Sequence, residues 1–498
     1  MKTKKILFPL TLLCLFSTLI SCSGSSSLSK EKCPKYDNEL SFSSYAYAPP
    51  GSGYYTVDGY DYPGAVDNEG NVISFQTLEK YQEYKDCGFD IIMIQADDAY
   101  FGEEFSTSHV KELMDLALEV GLKCIIFDNR IYTLSNKKEP IVGTNCLYKT
   151  DEELQNYIAS CMKDYSLHEA FYGLLIKDEP TYENLPSIGS LFKAIKAVSP
   201  NTFVQCNLYP LSTGAASYYM EGGNANNVIT AYKNYLETFL SLTESNYIMA
   251  DSYPMKIVNG YNKIDPNHIK TTQMLLEAAE KYQAEVHMVA QTSAWSNNGI
   301  KKARVCEEQD IYWQTNFYMG MGVKEISYFT YQTKKTNSTG GEYFVDGGSI
   351  IKWNGQKTAI YDYVKNAQEE MQNIASAILS FDYQGLKYYK NGTPDISYLG
   401  GVNFVDSFIK IDSVTTSVNS VVLISELYDA ENDNYMYMVF NPSDPSLNSN
   451  AIKVKVNFKE ANALAIYDKG ELSGEKINKS KSFSLLPGEA RFVIPFNV

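Results

Sequence analysis

Between residues 41 and about 380 the chain repeats one pattern of apolar and polar positions. A short apolar run ends in polar residues, a loop follows, then an amphipathic helix, then the next apolar run. The runs cover 41–50, 89–98, 122–130, 170–180, 201–210, 246–255, 285–295 and 323–333. Their near-continuous apolar character predicts strands buried on both faces, as in a parallel sheet. The helices between them carry start and stop signals. Thr150 and Glu153 form a capping box ahead of Leu154, Tyr157, Ile158, Cys161, Met162 and Tyr165, which repeat at helical spacing. Asp265 followed by Pro266 predicts an N-cap with proline at the first helical position. Gly88, Gly121 and Gly322 each fall between a helix and the next strand, where a C-terminal cap needs positive φ. Eight such units predict an α/β fold, a (β/α)8 TIM barrel spanning 41–380. A doubly wound sheet is the alternative for any five or six of them.

The texture changes past residue 380. Short β-rich runs such as 421–429, 434–442 and 451–458 alternate with Asn, Gly, Pro and Ser, and no helix signal intervenes. That spacing predicts an all-β antiparallel sandwich over 381–498.

The first residues read differently again. Lys2, Lys4 and Lys5 precede a short apolar stretch, Ile6–Ile20, and Leu19-Ile20-Ser21-Cys22 resembles a lipobox. The expectation is a lipoprotein signal peptide over 1–21 and a lipid-carrying Cys22, palmitate included. The chain would then sit in the cell envelope, outside the cytoplasm and anchored to a membrane. The Ser-rich stretch 23–30 opens a tether that extends to residue 40.

Composition narrows the function. Of 498 residues, 43 are Lys or Arg and 59 are Asp or Glu, a net charge of −16 that disfavours nucleic acid as a partner. Forty Tyr and 23 Phe suit a neutral polar ligand that stacks on rings, such as a sugar. No CxxC occurs, and His109, His168, His268 and His287 are scattered, so neither a disulfide framework nor a histidine-built metal centre is indicated. Cys87, Cys124 and Cys206 read as small core residues. No cofactor is expected.

In a barrel of this kind, active groups sit at the C-terminal ends of the strands. Strand two ends in Gln95, Asp97 and Asp98; strand three in Asp128, Asn129 and Arg130; strand four in Lys177, Asp178, Glu179 and Pro180. Strand five ends in Asn207 and Tyr209, strand six in Asp251, Ser252 and Tyr253. Strand seven ends in Gln291, Ser293 and Trp295, strand eight in Thr330, Tyr331 and Gln332. Acids, amides and rings thus meet on one rim. That is the equipment of glycoside hydrolysis, which needs two carboxyl groups about the scissile bond.

The strand-four ending Lys177-Asp178-Glu179-Pro180 resembles the acid/base strand of barrel glycosidases of the β-galactosidase type, with Asp178 where that group has asparagine. The resemblance implies a catalytic Glu179 and a carbohydrate substrate. It also implies an acid at the end of strand seven, where this chain has Gln291. Glu325 lies at the start of strand eight, the wrong end of the barrel, so Asp251 is the expected partner of Glu179. Such a pair resembles other glycosidase barrels, with a strand-four nucleophile and a strand-six acid/base; it also suits an inverting enzyme.

Lys177 and Glu179, two apart on a strand, are expected to share a face, which would hold Glu179 ionised. If Lys177 pairs with Asp178 or Asp98 instead, Glu179 is free to donate a proton. Asp97, Asp128, Asn207, Tyr209, Tyr253, Gln291, Trp295 and Gln332 are expected substrate contacts. Asp97 and Asp128 serve equally as caps or ion-pair partners, and Tyr209 and Tyr253 equally as loop packing. The Gly-rich stretch 332–355 reads as a lid or a loose excursion. Two other readings stand beside the glycosidase: a non-catalytic carbohydrate-binding lipoprotein on a degenerate barrel, and a different barrel enzyme, with a metal on Asp97, Asp128 and Asp178.

Overall fold

A computed structural model of the chain describes residues 27–28, 42–45, 55–57, 60–62, 65–66, 72–73, 75–96, 109–212, 214–220, 227–333 and 342–498. Eight parallel strands close into a barrel in chain order: β1 (Phe42–Tyr45), β2 (Ile91–Ala96), β3 (Lys123–Asp128), β4 (Phe171–Asp178), β5 (Phe203–Leu208), β6 (Tyr247–Asp251), β7 (Glu285–Gln291) and β8 (Glu325–Phe329). Each lies inside one predicted run, and the closing pair is β8 with β1, Ile326 opposite Phe42. The outer helices are α1 (Leu78–Asp86), α2 (His109–Glu119), α3 (Asp151–Met162), α4 (Leu185–Val198), α5 (Val228–Thr243), α6 (His268–Tyr282), α7 (Glu308–Gly320) and α8 (Ala359–Ser380). The fold is a (β/α)8 TIM barrel.

Local chemistry accounts for the element ends, with two departures. Thr150 Oγ1 accepts the Glu153 N–H at 3.2 Å, but Glu153 reaches back to the Lys149 N–H at 2.6 Å, one residue before the cap. Asp265 does not cap α6. Its Oδ1 accepts the Asn267 N–H at 2.9 Å, a local turn that delays the helix to His268. Gly88, Gly121 and Gly322 have φ of 99°, 75° and 74°, the left-handed caps that the pattern requires.

Side chains alternate between the barrel interior and the helix layer. Ile91, Met93, Ile125, Leu175, Tyr247, Met249 and Val289 fill the interior, so it is packed rather than hollow. Its N-terminal end is closed by a stack of rings: Tyr172 on Phe203 (5.3 Å), Phe203 on Tyr247 (4.7 Å) and Tyr247 on His287 (4.8 Å). Glu325 is buried there, 3.4 Å from His287, in the structural position expected of it. Cys87, Cys124, Cys161, Cys206 and Cys306 are buried free thiols.

Past α8, two antiparallel sheets face each other across a second core that includes Val422, Ile424, Val439, Val454, Val456 and Phe483. The larger sheet runs from Asp382 to Phe496 and takes Ser27–Leu28 as an edge strand beside Glu475 and Gly474. Helix α7 lies between barrel and sandwich: Trp313 Nε1 donates to Pro442 O at 3.1 Å, and Met438 packs where a Cβ on Gly320 would stand.

Candidate active site

The mouth is built on a defect in β4. Its register against β5 shifts between Leu175 and Lys177, which leaves Ile176 as an extra residue. Such a bulge inverts the alternation beyond it. Asp178 therefore pairs with Asn207 and turns inward with it, while Lys177 pairs with Cys206, on the helix side. Lys177 hydrogen-bonds Asn136 Oδ1 and lies 5.2 Å from the Tyr132 ring centroid. The shared face expected of Lys177 and Glu179 needs extended backbone through both residues, and the strand ends at Asp178, with Glu179 at φ of 42°. Burial pulls the Lys177 ammonium down from its ordinary value, opposed by the charges of the Cys206 and Asp178 groups.

Glu179 follows with φ of 42°, left-handed backbone that a side-chain-bearing residue rarely adopts. Its N–H donates to Asn207 O at 2.8 Å, and the next carbonyl, Pro180 O, accepts from Tyr235 at 2.6 Å. Those two bonds pin a conformation that costs about 1–3 kcal/mol. Residues held this way cluster at functional sites.

Asn207 is the centre of the acidic floor. Its Nδ2 donates to Asp178 Oδ1 at 3.0 Å and to Asp251 Oδ1 at 3.2 Å, so one amide nitrogen serves two carboxylates. Asp251 is 2% exposed. Burial, reinforced by the Asp178 charge and countered by the Asn207 hydrogen bond, pushes its pKa up to about 7. Glu179 is partly exposed, and the charges of Asp251 and Glu179 both bear on the Tyr219 hydroxyl.

A ring corner flanks this floor. Tyr253 and Trp295 meet edge to face at 5.4 Å and 76°, with Lys256 Nζ 5.2 Å from the Trp295 centroid. Tyr209 stacks on Tyr218 at 4.2 Å. Tyr209, Tyr253 and Trp295 all keep part of their surface exposed.

Other expected contacts belong to the frame. Asp128 is 1% exposed, and its carboxylate is taken by Arg130 (2.7 Å to Nη2) and Tyr165 (3.0 Å). Gln291 is fully buried and bonds the Met255 backbone on both sides, N–H at 2.8 Å and carbonyl at 3.3 Å. Gln332, 1% exposed, donates to Trp353 O at 3.1 Å. Asp97, Asp98 and Cys22 lie outside the described residues. Among those described, no three His, Cys, Asp or Glu converge as metal ligands.

Tyr132, Tyr219 and Lys256 were not expected at the mouth. Lys256 stands in a hairpin, Met255–Val258 with Tyr261–Ile264, that turns on Asn259-Gly260. An Asn-Gly pair between strand-forming residues is the signal that finds it. A second Asn-Gly turn, at Asn298-Gly299, joins Trp295–Asn297 to Ile300–Lys301. Glu342–Phe344, inside the Gly-rich stretch after β8, adds to that hairpin with Phe344 opposite Trp295.

The fold and these groups define a (β/α)8-barrel protein with a carboxylate floor, a ring-lined edge and a trailing sandwich. No family model and no curated protein matches the sequence. Among solved structures, the chain is similar to a family 39 glycoside hydrolase from Bacteroides cellulosilyticus WH2, at 11% identity and a TM-score of 0.44, covering 84% of this chain and 78% of that one. It is similar to a second glycoside hydrolase at 11% identity and a TM-score of 0.48, covering 90% and 98%. A β-galactosidase from the psychrophilic Marinomonas ef1 aligns at 10% identity and a TM-score of 0.42, over 63% of this chain and 60% of that one.

Proposed function

We propose that the chain is a glycoside hydrolase that cleaves O-glycosidic bonds of an oligo- or polysaccharide with Asp251 and Glu179. One observation carries the assignment: Asp251, buried at the C-terminal end of β6, shares the Asn207 Nδ2 with Asp178 at 3.2 and 3.0 Å, an arrangement in which burial and the Asp178 charge push its pKa up to about 7. A carboxylic acid still neutral near that pH can protonate a leaving glycosidic oxygen, the role that hydrolysis asks of one member of a pair. Glu179, partly exposed and fixed by left-handed backbone, supplies the opposite carboxylate, as nucleophile or as base for water. Trp295 and Tyr253 offer the sugar their rings, and Asn207 holds the acid in place. In the same proposal the mature chain is tethered through lipid on Cys22 and works outside the cytoplasm on glycans that reach the cell envelope.

A second reading, a carbohydrate-binding lipoprotein without turnover, is favoured by Gln291, which stands where the resembling group has an acid. It is favoured also by the deep burial of Asp251. A glycan hydrolysis screen with the purified mature protein, beside Glu179→Gln and Asp251→Asn, separates the two. Turnover lost in both variants with glycan binding retained supports the pair. Turnover unchanged in both rejects it, and binding without turnover in the native protein favours the second reading.

A further inference from the structure

Asp178 stands where the resembling glycosidases carry a neutral amide, and the bulge at Ile176 is what aims it into the barrel. It shares the Asn207 nitrogen with Asp251, at 3.0 and 3.2 Å. An amide nitrogen has two hydrogens, so each carboxylate takes one and neither can turn without losing its bond. We infer that Asp178 is a positioning residue for Asp251: across the shared Asn207 amide it orients the second carboxyl group and brings its own charge to bear on it.

The inference deepens the hydrolase reading and rests on it for its kinetic part. Two anionic carboxylates on one nitrogen, in a floor that water barely reaches, repel each other more than they would in solvent. Burial and the Asp178 charge both act to favour the neutral form of Asp251. Burial selects Asp251 for it. Asp251 is 2% exposed, whereas Asp178 keeps some exposed surface. The other groups around Asp251 act in known directions. Lys256, on the hairpin after β6, opposes protonation, and the Asn207 bond opposes it too. Tyr219, Tyr232 on α5 and Tyr318 on α7 surround it as neutral phenols that burial holds in the protonated form. Asp178 is thus the acid that shares a hydrogen-bonding group with Asp251, and its charge is the largest influence on Asp251 after burial itself.

Asp178→Asn keeps the shape and removes the charge; Asn207→Ala keeps the charge and removes the bridge. The two should move the alkaline limb of the hydrolysis pH profile in opposite directions, down in the first and up in the second, by about one pH unit or more. A role confined to holding the fold would lower activity at every pH and leave the limb in place. Thermal unfolding reads the same coupling without substrate. Relative to the native protein, Asp178→Asn should gain stability as pH rises from 3.8 to about 7, the window of the raised Asp251 group. A limb that stays fixed in Asp178→Asn while Asp251→Asn abolishes it overturns the inference and leaves the hydrolase reading intact. If no glycan is hydrolysed, the hydrolase reading fails and the unfolding comparison decides alone. A pH-dependent gain then supports the coupling, and parallel curves overturn it.

Discussion

The side-chain amide of Gln291 is closed on the backbone of Met255, with Oε1 accepting its N–H at 2.8 Å and Nε2 donating to its carbonyl at 3.3 Å. Nε2 also donates to Ser293 O at 3.1 Å. This glutamine ties the strand-seven end to the hairpin that bears Lys256. Gln291→Glu should therefore destabilise the protein, by about 1–3 kcal/mol, because a carboxylate oxygen would face two carbonyls in a buried place. Urea unfolding measures the loss. An increase in hydrolysis in this variant would contradict the assignment of Gln291 to the frame.

Asp251 and His268 make opposite contributions to stability across the same pH range. Asp251 is pushed up to about 7, so the folded chain holds a proton that the unfolded chain releases, and stability falls as pH rises from 3.8 towards 7. Burial, helped by Lys256, pulls His268 down to about 3, so the unfolded chain binds the extra proton and stability falls as pH drops below 6.5. The two slopes offset each other in the native protein. Asp251→Asn should leave a steeper loss towards acid pH, and His268→Asn a steeper loss towards neutral pH, both visible in thermal midpoints between pH 4 and 7.

Arg130 holds the buried Asp128 carboxylate at 2.7 Å and reaches Asp164 at 2.8 Å. Arg130→Met should cost about 3–5 kcal/mol by leaving the buried Asp128 charge without its cation, held only by the Tyr165 hydroxyl and the residue-130 N–H. Adding Asp128→Asn should recover much of that. The denaturant midpoints of the two variants test it, and full recovery of native glycan affinity in the double variant would confirm that Asp128 makes no sugar contact.

Trp295→Ala should raise KM for an oligosaccharide about 10-fold or more with a smaller change in kcat, since a stacking ring holds ground state and transition state alike. An unchanged KM would remove Trp295 from the sugar path.

The barrel was readable in the sequence because its strands are buried on both faces, which leaves unbroken apolar runs that end in polar residues. Eight runs were expected and all eight were found, in order, around one cylinder. The floor was harder. A one-residue bulge at Ile176 leaves no compositional mark, yet it reverses the facing of Lys177 and Asp178. Asp178 could be noticed only as a substitution for asparagine, and its link to Asp251 runs through Asn207 on a third strand. Burial decided Asp128 and Gln291, whose residue types suit a ligand as well as a neighbour. The hairpin that places Lys256 is legible in Asn259-Gly260, but it lies beyond the strand ends, where barrel position alone does not point.

Helix α7 has consequences for how the chain can be taken apart. Trp313, Gln314, Phe317 and Tyr318 are buried along it, and Arg304 just ahead of it pairs with Asp310 on the helix and with Asp444 in the sandwich. A product truncated after Ser380 would strip one wall from the seventh stave and expose its aromatic flank to water. The trailing β layers are better regarded as buttress than as appendage, and biochemistry on this protein calls for the entire polypeptide.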